Sequence, residues 1–323
     1  MATQPFTPTQ SYLTGAAREE AILHQRPIRE IDMIATSWTL YGVTTIVALI
    51  RFFVRVKSTQ KLWLDDYLVM AAVLCSTAST ALLYHWRGSL YLSKALLTMP
   101  DKVAVEPKDL PMLESQTLIL DLVNAFIWTT IFSMKLSFLY LFRNLVKNNS
   151  LLLIRYFWFV VIFTVLSWGF SASEIFIHCH SFGKDSYKCN ESNPTMSSAL
   201  DSLATALDVA TDLMVISIPI FVLRRAKTNI TYKLAAGAFL CLSVVTIVVA
   251  TIRLLSTNIL EYGGLDPTWG FFWAEIEAYV SILATSATVF RFSSLRRAQL
   301  MEEQKHDSLQ ETSEAPSPVT CKN

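Results

Sequence analysis

Seven long apolar blocks dominate the sequence and limit the structures that it can form. Each contains about 20 residues or more, the length that crosses the hydrocarbon core of a bilayer as an α-helix. The blocks, referred to as spans one to seven, are Ile34–Val54, Leu64–Trp86, Thr117–Phe142, Leu151–Ile177, Leu200–Leu223, Leu234–Ser256 and Phe271–Phe290. The pattern predicts an all-α protein, a seven-helix bundle that spans a membrane.

The composition also favours a membrane environment. Of 323 residues, 52% are hydrophobic and 16% are charged, whereas about 25% are charged in an ordinary soluble domain. A soluble protein with these blocks would have to cover seven long buried helices with short polar loops, which is unfavourable at this size. The formal net charge is +1 and gives no reason to expect a nucleic-acid partner. The immediate partner is therefore predicted to be the lipid bilayer.

The distribution of Lys and Arg between the loops predicts the orientation, because cytosolic loops carry an excess of both. The loops after spans two, four and six have balanced or acidic charge. Those after spans one, three and five contain no acid and carry Arg55, Lys57, Lys61, Arg143, Lys147, Arg224, Arg225, Lys227 and Lys233. The N-terminus is thus predicted to lie outside and the C-terminus in the cytosol. A polar N-terminal segment, 1–32, precedes the membrane domain, 33–297, and a disordered cytosolic tail, 298–323, follows it.

The predicted outer loop after span four carries three residues open to modification. Cys179 and Cys189 lie in an oxidising location, where a disulfide is favoured. Asn190 begins an Asn-Glu-Ser acceptor for N-glycosylation. Two further matches to that pattern, at Asn148 and Asn229, lie on the predicted cytosolic side and are dismissed. No metal site is predicted, because the His and Cys spacing of this loop matches no common pattern.

Acidic residues inside the spans are the main candidates for a functional site, since a charge in the bilayer core is costly. Asp201, Asp208 and Asp212 are seven and four residues apart and share one stripe of span five. Other polar residues lie near the predicted outer ends of spans three and seven. One interpretation is an outward polar pocket, lined by Asp121, Asn124, Asp201, Asp208 and Glu277.

The other interpretation is internal pairing. Lys135 in span three and Asp212 in span five lie at similar depths, so a structural ion pair between them would neutralise both charges. Asp208 with Arg253 of span six is a further possible pair. At the start of span two, Asp65 and Asp66 suit a helix N-terminus. With the neighbouring Trp63 and Tyr67, they are interpreted as a helix cap and an aromatic anchor.

Several motifs resemble the fungal rhodopsin-like integral membrane family. They are WLDDYLVMAA, MKLSFLYLFR, the paired cysteines after span four, DVATDLMVISIP, ATIRLL and DPTWGFFWAEIEAYVSI, in this order over about residues 35–297. The resemblance implies a seven-helix fungal membrane protein, some of whose relatives are called receptors while others are encoded in secondary-metabolite gene clusters. The family usually has Asn at position 208 and a Cys-x-Pro followed by Trp in place of CHSFGKDSYKC, which suggests a specialised outer pocket.

No retinal is expected, because no lysine occurs between Lys233 and Lys305 and span seven therefore cannot form the usual Schiff base. Two functions follow. The first is a receptor-like or pathway-accessory membrane protein that binds a small lipophilic metabolite. The alternative is a membrane enzyme of the isoprenoid cyclase or transferase type. In it, Asp208 and Asp212 would be catalytic, either by chelating Mg²⁺ on a diphosphate or by protonating an alkene or epoxide.

Overall fold

The structure, a computed structural model, describes residues 12–24, 28–59, 63–99, 101–147, 150–178, 194–225, 244–252 and 268–287. Six helices are α1 Ala16–Leu23, α2 Glu30–Thr59, α3 Leu64–Thr98, α4 Leu110–Val146, α5 Leu151–His178 and α6 Pro194–Arg225. The ranges 244–252 and 268–287 are also helical, and these described ranges contain no strand. Helices α2 to α6 are long and apolar enough to cross a membrane. The expected all-α, multi-pass membrane architecture is confirmed.

The helices bury charge and expose apolar side chains, the reverse of a water-soluble protein. Phe53 and Leu74 are each 68% exposed, whereas Arg51 is 2% exposed and Lys135 is 6% exposed. Such an apolar surface is stable against lipid tails, and the buried Arg51 and Lys135 pair with carboxylates inside the bundle.

Helices α2 and α3 are antiparallel and joined by ion pairs at both ends. Arg87, late in α3, pairs with Glu30 at the start of α2. Arg51, late in α2, pairs with Asp65 at the start of α3. We call these two ends of the bundle the Glu30 end and the Asp65 end.

Helices α3 and α4 are longer than the predicted spans two and three at the Glu30 end, where α3 ends and α4 begins. In the sequence, span two ends at Trp86 because the next residue, Arg87, is charged. In the structure Arg87 pairs with Glu30, and α3 continues past it. Beyond it, Ser93 donates a hydrogen bond to Gln116 of α4 at 2.8 Å. The extension has its own buried apolar residues, which include Leu90, Tyr91, Leu92 and Ala95. The two helices therefore form a projection that packing stabilises.

Helix α1 lies against this projection. Arg18 is 4% exposed and donates hydrogen bonds to the Ala104 carbonyl at 3.1 Å and to Asp109 at 2.5 Å. Ile22 of the same helix belongs to the core cluster of α3 and α4. The polar N-terminal segment thus contains a short helix that packs on the Glu30 end of the bundle.

A buried ionic cluster joins three helical elements at the Asp65 end. Arg51 donates to Asp65 Oδ2 at 2.9 Å and to the Thr285 carbonyl at 3.1 Å. Arg55 donates to the same Asp65 oxygen at 3.0 Å, and its Nε lies 3.5 Å from Asp66 Oδ2. Because Thr285 belongs to the segment 268–287, this cluster connects that segment to α2 and α3.

The cap interpretation of this stretch describes Asp66 but is incomplete for Asp65. Asp66 Oδ2 accepts the Trp63 backbone N–H at 3.1 Å, as a capping residue does. Trp63 and Tyr67 are exposed, as anchors must be. Asp65 is fully buried and pairs with Arg51 and Arg55 of α2 instead of capping α3.

We predict that Asp65→Asn lowers the free energy of unfolding by about 3–5 kcal/mol, because it leaves the buried Arg51 guanidinium without its nearest carboxylate. Thermal unfolding of the purified protein in detergent, followed by tryptophan fluorescence, measures the effect. Asp32→Asn, in an exposed pair with Arg29, is the matched control and should leave the midpoint unchanged. Equal midpoints for Asp65→Asn and the wild type would contradict the assignment.

Candidate functional site

A buried cluster centred on Lys135 joins α4 to α6. Its Nζ lies 2.9 Å from Asp208 Oδ1 and 2.8 Å from Asp212 Oδ1. It also donates to Thr211 Oγ1 at 2.8 Å and to the Asp208 carbonyl at 2.7 Å. Both carboxylates of the DVATD stretch therefore meet one ammonium group.

This cluster contains more acceptors and more negative charge than one lysine can satisfy. An ammonium carries three protons, so two of its four acceptors share one. With both aspartates ionised, the formal charge is −1. Thr246 of the segment 244–252 donates to Asp212 Oδ2 at 3.2 Å, and Lys135 Nζ lies 5.2 Å from the centre of the Phe132 ring. These contacts add polar and cation–π stabilisation around the ions.

The helical repeat places the three partners of Lys135 on one face of α6. Residues three and four apart share a face, so Asp208, Thr211 and Asp212 all turn toward α4. Leu213 and Phe221 are 56% and 47% exposed and lie toward lipid. Helix α6 therefore has a polar face toward α4 and an apolar face toward lipid.

In the sequence analysis, Asp212 was assigned to a pair with Lys135, and Asp208 to a pocket or to Arg253. In the structure both aspartates contact Lys135, and Arg253 lies outside the described residues. The position between the two carboxylates, where the enzyme interpretation needs Mg²⁺, contains the Lys135 ammonium. Asp208 and Asp212 therefore have an evident packing role.

The other residues of the predicted pocket do not belong to the Lys135 cluster. Asp121 and Asn124 on α4 and Asp201 on α6 are half-buried, and Glu277 is 1% exposed. No member of the predicted pocket is among the described residues that line the cavity discussed next. Their joint role stays a prediction. The predicted disulfide and glycosylation sites, Cys179, Cys189 and Asn190, lie outside the described residues.

A cavity lies between α2, α3 and the segment 268–287, toward the Glu30 end. Its lining combines aliphatic, aromatic and charged side chains. The described lining residues are Glu30, Met33, Ile34, Ser37, Trp38, Thr80, Leu83, Tyr84, Arg87, Tyr91 and Glu275. A mostly apolar hollow with a few polar groups is typical of a small-molecule site.

Glu275 is the polar centre of the cavity. It is 1% exposed, and its Oε2 accepts a hydrogen bond from Ser37 Oγ at 2.9 Å. Within the described ranges no donor bonds to Oε1. The hydroxyls of Thr80 and Tyr279 adjoin this carboxyl and are 2.6 Å from each other. The cavity therefore presents a desolvated carboxylate oxygen with unused hydrogen-bonding capacity.

Aromatic rings and one ion pair form the rim of the cavity. Trp38 and Tyr84 are edge-to-face, with centroids 5.7 Å apart, and each is 43% exposed. The Arg87 guanidinium lies 4.4 Å from the Tyr84 ring centre and pairs with Glu30. These two lining residues are therefore partly exposed at the surface of the bundle.

Sequence reasoning placed both Glu275 and Glu277 near the outer end of span seven but selected only Glu277 for the pocket. The missed signal is the spacing: Glu275 and Tyr279 are four residues apart in an apolar segment and therefore share a face. Arg51 was missed as well, although an arginine inside span one has to be satisfied by the protein. Its partner, Asp65, lies at the boundary of span two, where capping is a sufficient explanation.

Comparison with known proteins supports the resemblance carried by the motifs. A family model described as "Fungal rhodopsin domain" matches residues 50–295, which is most of the chain. No curated protein and no solved structure gives a match.

We predict that Lys135→Met destabilises the protein by about 3–5 kcal/mol, because two buried carboxylates lose their cation. Adding Asp208→Asn and Asp212→Asn to this variant should restore much of the loss, since neutral amides need no counter-ion. Thermal unfolding in detergent measures the series, with Lys108→Met in an exposed loop pair as the control. A triple variant no more stable than Lys135→Met would contradict a packing role for the cluster.

Proposed function

Because the chain belongs to the fungal rhodopsin domain family, we propose that it is a receptor-like seven-helix membrane protein that binds a small lipophilic molecule. The observation that carries the proposal is the cavity at the Glu30 end, where apolar and aromatic side chains surround the buried Glu275 carboxyl. Apolar walls suit the body of such a molecule, and the carboxyl would orient it.

The proposed topology has seven crossings, with the N-terminus outside. It is supported by the five long apolar helices and by the helical segments 244–252 and 268–287, which fall in spans six and seven. The segment 268–287 contacts α2 through Ser37 toward the Glu30 end and through Arg51 toward the Asp65 end. It therefore runs parallel to α2, as a seventh crossing would. In this topology the cavity lies in the outer half of the membrane.

The role we propose is receptor-like or accessory to a secondary-metabolite pathway, without a retinal cofactor. In this proposal a lipophilic metabolite enters from the bilayer beside the exposed rings of Trp38 and Tyr84. The enzyme alternative has less support, because the Lys135 ammonium pairs with the carboxylates of both Asp208 and Asp212 and lies between them. A cation-binding carboxylate pair would need that position.

Co-purification tests the ligand site. The full-length protein is extracted from its native membrane, and molecules released from it are identified by liquid chromatography–mass spectrometry. Leu83→Phe adds volume inside the cavity and should reduce any bound molecule by about tenfold or more, the effect of a clash of about 1.4 kcal/mol or more. Leu74→Phe, on the lipid-exposed face of the same helix, should retain it. Equal recovery from both variants, or no molecule specific to the wild type, would refute the site.

Glycosylation tests the orientation. We expect an endoglycosidase to increase the gel mobility of the wild type and to leave Asn190→Gln unchanged, because Asn190 lies on the proposed outer side. Asn148→Gln and Asn229→Gln should behave as the wild type. Glycosylation at either of these two positions would show that the proposed orientation is wrong.

A further inference from the structure

We propose that the cavity takes a small organic cation, a protonated or quaternary amine on a compact apolar body, with its nitrogen against Glu275. This inference rests on the proposed function, because it names the chemical class of ligand for the same cavity. It is carried by the charges and the aromatic rings that line the cavity.

The charges that line the cavity favour a cation. Its described lining contains three charged residues, Glu30, Arg87 and Glu275. Glu30 and Arg87 pair with each other, which leaves the Glu275 carboxyl as the uncompensated charge. A desolvated carboxylate with no counter-ion is costly, and a cationic ligand would offset that cost. An anionic ligand would increase it.

The hydrogen bonds of Glu275 leave one oxygen for a ligand. Ser37 donates to Oε2, whereas Oε1 is buried and receives no hydrogen bond from the described residues. The Thr80 hydroxyl donates to the Ser76 carbonyl at 2.7 Å and lies 2.6 Å from the Tyr279 hydroxyl. An ammonium proton, or the positive surface of a quaternary nitrogen, complements this oxygen.

The aromatic lining offers a second interaction with a cation. Trp38, Tyr84 and Tyr91 line the cavity, and ring faces attract ammonium groups within about 6 Å. Arg87 already lies over Tyr84 at 4.4 Å, so that ring accepts a cation in this structure. A carboxylate combined with tyrosine and tryptophan rings is chemically suited to an organic ammonium ion.

The aliphatic walls define the rest of the ligand. Met33, Ile34 and Leu83 contribute apolar surface. This surface suits a small apolar body attached to the nitrogen.

Matched probes separate charge from shape. Binding of benzyltrimethylammonium and of its neutral carbon isostere, neopentylbenzene, is measured by titration calorimetry on the full-length protein in lipid nanodiscs. Empty nanodiscs correct for partitioning into lipid. We expect the ammonium ion to bind at least about tenfold more tightly than the isostere, the difference expected for one charge-assisted contact.

Two variants of the site should change ammonium affinity in opposite directions. Glu275→Gln keeps the shape but removes the charge, so ammonium affinity should fall about tenfold or more while isostere affinity stays the same. Ser37→Ala removes a donor that competes for the carboxylate, so ammonium affinity should rise about fivefold. Asp32→Asn makes the same charge change as Glu275→Gln at an exposed position and should leave both affinities unchanged.

The outcomes distinguish this inference from the proposed function. Equal affinity for the two probes, with no effect of Glu275→Gln, overturns the cation class but leaves the cavity as a ligand site. Failure of both probes to bind, or displacement of the ammonium ion by Na⁺ at equal concentration, also overturns the cation class. The proposed function itself is decided separately, by the comparison of Leu83→Phe with Leu74→Phe.

Discussion

Lys135 is 6% exposed, so groups of the protein must solvate its ammonium, and its position dictates much of the surrounding packing. Two carboxylates, a hydroxyl and a carbonyl of α6 surround its Nζ within 2.9 Å. An uncompensated charge at this depth would be strongly destabilising. Rotation of either α4 or α6 about its axis would break all of these contacts together. The arrangement therefore fixes both the spacing and the rotation of these two helices.

The segment 268–287 depends on similar polar contacts along its length. Glu275 accepts a bond from Ser37, the Tyr279 hydroxyl bonds to Thr80, and the Thr285 carbonyl accepts a bond from Arg51. These contacts tie one helix to α2 and α3 at three successive levels. At the level closest to the Glu30 end, the Glu275 carboxyl lies between the helices and lines the cavity.

Part of this arrangement follows from sequence reasoning and part does not. The similar depths of Lys135 and Asp212 make their contact foreseeable, since depth along a helix follows from residue number. The sharing of the same ammonium with Asp208 does not follow, because it depends on the distance between two helices. The extension of α3 beyond Trp86 was also missed. Arg87 interrupts the apolar pattern there, and its neutralisation by Glu30 on another helix is a tertiary contact.

The sequence by itself determined that this chain crosses a membrane as long helices, because apolar blocks of about 20 residues satisfy their backbone groups in lipid only in that form. It also identified the charges that needed partners. The tertiary structure alone decided which partners they have, because the lateral order and rotation of the helices are not encoded in any single span. Glu275 and Glu277 are two residues apart and equally buried, yet only Glu275 lines the cavity. The two side chains leave the helix in different directions, and the position of α2 and α3 decides which of them meets the cavity.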